Sequence, residues 1–357
     1  MGSLGLRLLK TVGSAVSVLI ASTFALTSLF GAVARADMKE LEEAARKEGP
    51  MTWYISFYGQ EPADKAAAAF AAKYPGLKVI PIRTTTGAAF QRLTLDFKNN
   101  VPVASVVSLS AVGGYYDILL RENRIAEYVP ENADKLSPAL KPAIVPKQLY
   151  PIGAALMAIA YNTTKVKPAD APKTWKDLAD PKWKGQLALS HPAFSGFDAA
   201  WVVTMDKGGG WAYFDALAKN SPLVQRSTFD AIRALNSGER LVATMPDGMA
   251  HDSASKGNPL AVVYPTDGSV LILGMTGILK TAPQPNMAKL FTEFLLGTEH
   301  AKVVADTRYH PARPEVAMEI PGGLTLKDIK LAPMVESAEA EKSLPKLVEK
   351  WRDTFGQ

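Results

Sequence analysis

The sequence predicts an α/β fold built as two lobes. Three observations point there. Residues 51–109 alternate strand, helix, strand, helix, strand, the rhythm of a doubly wound lobe around a mainly parallel sheet. The alternation resumes from residue 154 to residue 278. The chain has 357 residues, of which 321 follow an N-terminal leader, and that is more than one compact core holds.

The leader comes first. Arg7 and Lys10 form a basic start, residues 11–34 carry no charge, and Ala34-Arg35-Ala36 places small residues around one variable position. This is the layout of a secretory signal peptide, residues 1–36, cleaved after Ala36. The uncharged run is also long enough to span a bilayer as an anchor, but its many Ser, Thr, Gly and Ala residues and the small-residue motif favour cleavage. No arginine pair precedes it, which fits general secretion. The sequence has no Cys, so none follows the run to carry a lipid, and the product is expected free in the periplasm. Formal charge falls from +5 to +2 with Arg7, Lys10 and Arg35 removed. No basic cluster with interleaved aromatics remains, which argues against nucleic acid as a partner.

The mature part opens with a helical pattern over 38–47, stopped by Gly49-Pro50. Residues 51–56 are β-rich. Residues 63–73 read as an Ala-rich helix with Phe70 on its inner face, broken at Tyr74-Pro75-Gly76. A strand over 77–82, a helix over 88–98 and a strand over 103–109 complete the first set. In the second set, 154–161 is an apolar strand, 175–178 starts a short helix and 186–190 is a strand. Residues 196–204, 210–218 and 228–236 read as helices, and 241–245, 260–263 and 271–278 as strands. Residues 287–296 form an amphipathic helix, and 331–355 a charged helical tail. No repeat of solenoid period is visible.

Two stretches carry a family resemblance. Tyr161-Asn162-Thr163-Thr164-Lys165-Val166 follows the apolar strand, and Pro172-Lys173-Thr174-Trp175-Lys176-Asp177-Leu178 leads to Pro181-Lys182-Trp183-Lys184-Gly185-Gln186 before the next strand. Pro283-Gln284-Pro285-Asn286 and the helix after it agree. The chain resembles the extracellular solute-binding proteins of ABC importers, in the group holding ferric-ion, maltose, polyamine and phosphonate binders. Trp175, Leu178, Trp183, Phe291, Phe294 and Leu295 have a packing role in these blocks and say nothing of the substrate. The resemblance implies a two-lobe periplasmic-binding-protein fold of type II with the ligand cleft between the lobes, and a binding role rather than an enzymatic one. Its implied boundaries are 37–151 for the first part of lobe 1, 152–263 for lobe 2, and 264–306 for the return to lobe 1. Residues 307–357 would then pack on lobe 2. The implied partners are a small-molecule solute and the importer's permease in the inner membrane, with the protein itself a monomer and no cofactor.

In open α/β sheets ligands sit beyond the carboxyl ends of the strands. Those ends hold Ser56 and Tyr58; Arg83, Thr84, Thr85 and Thr86; Ser108 and Ser110; His191 and Ser195; and Met245 and Asp247. Hydroxyls and backbone N–H groups at helix starts bind anions, although Thr86 and Ser195 also suit plain N-caps. Arg83 can pair a carboxylate or phosphate through its planar fork, and it equally suits a surface or lobe-stabilising role. The expected ligand is a small organic anion. A neutral solute or a polyamine is the alternative, with Asp247 available to a cation.

Ferric-ion relatives carry adjacent tyrosines in the second lobe after a Ser-Gly-Glu turn. Here Ser237-Gly238-Glu239 leads to Met245-Pro246-Asp247 without them, and Tyr115-Tyr116 lies in the first lobe, so the pattern departs from iron. The four histidines, His191, His251, His300 and His310, have no metal-ligand spacing. No nucleophile elbow or phosphate loop is present, which leaves a secreted enzyme only a scattered site.

Overall fold

Gly49 and Pro50 separate the first helix from the first strand. α1 (Met38–Ala45) buries Leu41 and Ala45, four residues apart on one face, and β1 (Met51–Ile55) follows with Trp53 fully buried. The computed structural model describes residues 38–111, 114–318, 326, 328–335 and 337–356; the leader and its cleavage after Ala36 lie outside the described residues. Among the described residues no helix is long and apolar enough to cross a membrane.

The first set of elements continues as α2 (Gln60–Lys73), β2 (Val79–Arg83), α3 (Thr86–Asn99), β3 (Ala104–Ser110) and α4 (Tyr115–Arg121). β1 pairs in parallel with β2 and with β3. β4 (Tyr150–Asn162) then runs for 13 residues, every one buried. The second set is β5 (Leu187–Ser190), α5 (Gly196–Gly209), α6 (Ala212–Ala218), β6 (Leu223–Gln225), α7 (Thr228–Asn236), β7 (Val242–Pro246), α8 (Asp247–Ser255) and β8 (Leu260–Val263). β5 lies parallel to both β6 and β7. The chain turns at Pro265, where the Gly268 N–H donates to the Pro265 carbonyl at 2.9 Å, and returns as β9 (Val270–Ile278). α9 (Pro285–Leu295) and α10 (Thr298–Asp306) pack with α1 and α2, β10 (His310–Pro311) pairs β4, and α11 (Ser337–Phe355) closes the chain.

Strand order is β2-β1-β3-β9-β4-β7-β5-β6, with β8 also on β4. β4 and β9 are the crossing strands. β4 meets β9 along Tyr150–Met157 and meets β7 and β8 along its second half. β9 in turn runs antiparallel to β3. The hydrogen bonding is therefore continuous through the crossing, because β4 is one uninterrupted strand. Its register shifts between Pro151 and Gly153, as expected where a proline cannot donate to the ladder.

Each half has helices on both faces and a core on each. In the first half Trp53, Phe70, Phe291 and Phe294 fill one face, and Leu93, Leu109, Leu119 and Leu149 the other. In the second half Trp175, Trp201, Phe214 and Trp351 fill one face, and Ala231, Leu235, Met245 and Leu260 the other. This is the two-lobe α/β arrangement. α11 seats Trp351 edge-on to Phe214, with ring centroids 5.7 Å apart, and its Glu341 pairs with Arg121 of α4.

Two local expectations fail. The helical tail begins at Ser337 rather than 331, since Pro333 drives Ala332 out of the helical region, and Leu331 instead bridges to Ser269. Asp247 and Gly248, read as part of a strand-end loop, instead open α8 directly after Pro246, whose ring pre-sets the backbone. β6 and α10 escaped the sequence reading.

Candidate functional site

Three helices open at a common cleft, each capped by a hydroxyl. Thr85 Oγ1 accepts from the Ala88 N–H at the start of α3. Ser195 Oγ accepts from the Asp198 N–H at the start of α5, and Ser227 Oγ from the Asp230 N–H at the start of α7, both at 3.3 Å. α3 follows β2, α5 follows β5 and α7 follows β6, so each start lies at the carboxyl end of a parallel strand. Gly59, which has no side chain to cap with, opens α2 at the same cleft. Four positive helix ends thus face a space of about 70 Å3, room for several water-sized groups.

The first-lobe wall is a hydroxyl chain. Ser56 and Thr86 hydroxyls share a bond of 2.8 Å, and Ser56 Oγ accepts from the Ser110 N–H at 3.3 Å. Arg83 ends β2 beside them. Its guanidinium lies 5.5 Å from the Phe229 ring centre, and its Nε is buried without a hydrogen-bond partner. Burial pulls the Arg83 pKa down while Tyr309 raises it; a guanidinium stays charged nonetheless. On the second-lobe wall stand Phe194, Phe197, Phe229 and Met249. Phe194 and Phe229 are 44% and 46% exposed, unusual for bare rings and natural at the mouth of a binding cleft. Arg226 lies over Phe194 at 4.9 Å.

Seven of the sequence candidates line this cleft: Ser56, Tyr58, Arg83, Thr85, Thr86, Ser110 and Ser195. Five stand outside its lining. The Thr84 N–H extends the β1–β2 ladder to the Ile55 carbonyl. Ser108 Oγ accepts from the Trp53 indole and donates to Thr276, deep in the first-lobe core. His191 Nδ1 accepts from the Ala193 N–H and its ring meets Trp351 edge-on. Met245 is core. Asp247 is fully buried and accepts from the Leu156 and Gly248 N–H groups, the Tyr264 hydroxyl and His310 Nε2.

Tyr58 reaches the lining but is anchored behind it. Burial lowers the His300 pKa to about 4, so its ring is neutral. With Nδ1–H given to the Leu295 carbonyl, Nε2 must accept from the Tyr58 hydroxyl at 2.9 Å. Tyr116 likewise serves the core: its hydroxyl accepts from the Leu109 N–H and donates to the Met275 carbonyl. Among the described residues no group of three or more His, Cys, Asp or Glu is placed to hold a metal.

The sequence reading missed Ser227, Thr228, Phe229, Met249 and Tyr309. One signal was available. Ser195-Gly196-Phe197-Asp198 and Ser227-Thr228-Phe229-Asp230 repeat a Ser-x-Phe-Asp pattern, an N-cap hydroxyl with an acid three residues on. A larger cavity of about 450 Å3 lies among α4, α5, β9 and α11. Its lining is mostly Ala, Leu, Val and Met, so the smaller polar cleft is the candidate site.

Comparison with known proteins follows the same direction. A family model, bacterial extracellular solute-binding protein, matches residues 110–336. The chain is 30% identical over 243 residues to a Haemophilus influenzae protein, covering 65% of this chain and 68% of the relative. It is 24% identical to the putative 2-aminoethylphosphonate-binding periplasmic protein of Salmonella typhimurium, over 68% of this chain and 72% of that one. Among solved structures it is similar to the periplasmic binding protein AfuA of Actinobacillus pleuropneumoniae with fructose-6-phosphate bound. There the TM-score is 0.75 and the identity 25%, over 86% of this chain and 99% of that chain.

Proposed function

We propose, from the premise that this chain belongs to the bacterial extracellular solute-binding proteins, that its cleft captures a small organic anion through a phosphate or phosphonate group. The protein is the periplasmic solute-binding component of an ABC importer. What supports the anion reading is one observation: positive helix ends from both lobes converge with Arg83, whose Nε has no protein partner. Backbone N–H groups at helix starts and a charged fork together suit a tetrahedral oxyanion. Two similar proteins, one named for an aminophosphonate and one holding a sugar phosphate, agree in ligand class.

The rest of the reading extends the family membership. Residues 37–151 and 264–306 make lobe 1 and residues 152–263 make lobe 2; the tail from 307 first passes along lobe 1, where Tyr309 meets Phe57 and Arg313 reaches Asn132, and its helix α11 then seats Trp351 on lobe 2. Rotation at the crossing strands closes the cleft on the anion. The leader is cut after Ala36, the monomer is free in the periplasm, and the solute is released unaltered to the permease.

Arg83→Ala tests the site. With fructose 6-phosphate and 2-aminoethylphosphonate as probes, calorimetry is expected to show a loss of roughly 1.5–3 kcal/mol, about ten- to a hundredfold in affinity. Far-ultraviolet circular dichroism should match the native protein. Unchanged affinity in a folded variant rules out the assigned role of Arg83.

A further inference from the structure

Beneath the second-lobe wall of the cleft lies a carboxyl that an anion site would not tolerate in its charged form. Asp198, in the first turn of α5, is fully buried. Its Oδ2 accepts from Thr228 Oγ1 at 3.3 Å, and Thr228 Oγ1 lies 3.3 Å from Ser195 Oγ. Both hydroxyls line the cleft. Asp198 Oδ1 has no hydrogen-bond partner, and the Ser190 hydroxyl faces the carboxyl without a bond of normal geometry. The sister residue Asp230 occupies the same place in the second Ser-x-Phe-Asp stretch, yet it takes 2.6 Å from Ser227 and pairs with Arg233. Among the described residues Asp198 has no such cation.

We infer that Asp198 is a positioning residue that couples anion capture to uptake of one proton. The inference rests on the anion reading above. Each hydroxyl owns one hydrogen. When Asp198 is ionised, Thr228 gives its hydrogen to Oδ2 and shows the cleft only lone pairs, so Ser195 alone can donate to an anion. When Asp198 takes a proton from solvent on Oδ2, the new O–H donates to Thr228 Oγ1. The hydrogens of Thr228 and Ser195 are then both free to turn to the anion, and the buried negative charge is gone. The 3.3 Å spacings, one between the two hydroxyls and one from Thr228 to the carboxyl, are long for O–H···O bonds, which leaves these hydrogens room to turn.

The surroundings agree. Burial pushes the Asp198 pKa up to about 7, against the opposing pull of the Ser195, Thr228 and Ser190 hydroxyls and its own N–H. Titratable groups on neighbouring elements have other partners. His191 after β5 takes the Ala193 N–H and feels Arg352 of α11. Arg226 lies over Phe194, and Asp230 and Arg233 of α7 pair with each other. Tyr213 of α6 donates to the Trp175 carbonyl. In α11, Glu339 pairs with Lys207 of α5 and Glu341 with Arg121. β7 and β9 carry no ionisable side chain, and β4 only tyrosines.

Calorimetry with inorganic sulfate, whose charge is constant between about pH 5 and pH 9, tests the coupling; runs in two buffers of different ionisation heat count protons. Native protein should take up almost none near pH 5 and approach one per sulfate near pH 9. Affinity should fall by up to about tenfold per pH unit above pH 7. Asp198→Asn should bind with no proton uptake and a flat pH profile. Binding without proton uptake by the native protein near pH 9, or an Asp198→Asn protein that keeps the native pH profile, overturns the coupling and leaves the anion site standing. No sulfate binding even near pH 5 overturns both. If Asp198→Asn does not fold, the native proton count decides by itself.

Discussion

Arg83 and Asp247 show how differently two charged residues at strand ends can be used. Arg83 ends β2 and Asp247 directly follows β7, and the sequence makes Arg83 the sharpest candidate with Asp247 in reserve for a cation. Arg83 keeps a free Nε beside the cleft, whereas Asp247 has all its acceptor capacity taken by two backbone N–H groups, a tyrosine and a histidine. Its charge is opposed by burial, but His310 and the Leu156 N–H, with the nearby His251, hold its pKa below the ordinary value. A depressed carboxyl contributes stability that is present above the unfolded pKa and lost as pH falls through the folded one. Asp247→Ala, which strands the Leu156 and Gly248 N–H groups and the buried His310 and removes one of the partners of Tyr264, is therefore expected to cost roughly 3–5 kcal/mol at neutral pH. The gap from the native protein should narrow in strong acid. Urea denaturation at two pH values measures it; a loss under about 1 kcal/mol would show that β4, α8 and β10 do not depend on this residue. Residue types at strand ends were legible in the sequence. Which of them turn inward was not, because that depends on contacts such as Asp247 with His310, 63 positions away.

At the scale of elements, the strand–helix alternation was readable because apolar runs and breakers mark it. Residues 228–236 and 260–263 fall where patterning put them. α8 was hidden, since Asp247-Gly248-Met249-Ala250 has no strong periodicity and its buried face includes polar His251 and Ser253. The hydroxyl cap of α5 was legible; that of α3 was read one residue late, at Thr86 where Thr85 makes the bond, because both are threonines at the same turn, and that of α7 was passed over although it repeats the Ser-x-Phe-Asp pattern. The crossing strands hold a further constraint. A Cβ on Gly274 of β9 would fall 2.3 Å from the ring of Phe57, which lines the cleft. Gly274→Ala must displace that ring, and overpacking of this kind costs about 1–3 kcal/mol. Phe57→Leu in the same chain should recover part of the loss, a coupling that a double-mutant cycle reads directly. Strictly additive effects would mean that the ring and the crossing strand are not in conflict.

For the whole molecule, two sheets' worth of strands share one crossing pair, and the cleft lies where helix starts from both sides meet. A ligand held by both walls favours the closed arrangement, since it gains contacts there that the open one lacks. Binding to the native state then raises thermal stability by mass action. The most direct measurement of the central claim is a thermal-shift series on the exported protein with sugar phosphates, phosphonates, carboxylates, polyamines and ferric ion. A phosphate or phosphonate at a hundred times its Kd should add about 2.7 kcal/mol, a rise of roughly 4 °C in Tm for a chain of this length, and the same concentration should raise Arg83→Ala by about half of that or less. A rise produced by a polyamine or ferric ion, with every phosphate and phosphonate silent, would contradict the account.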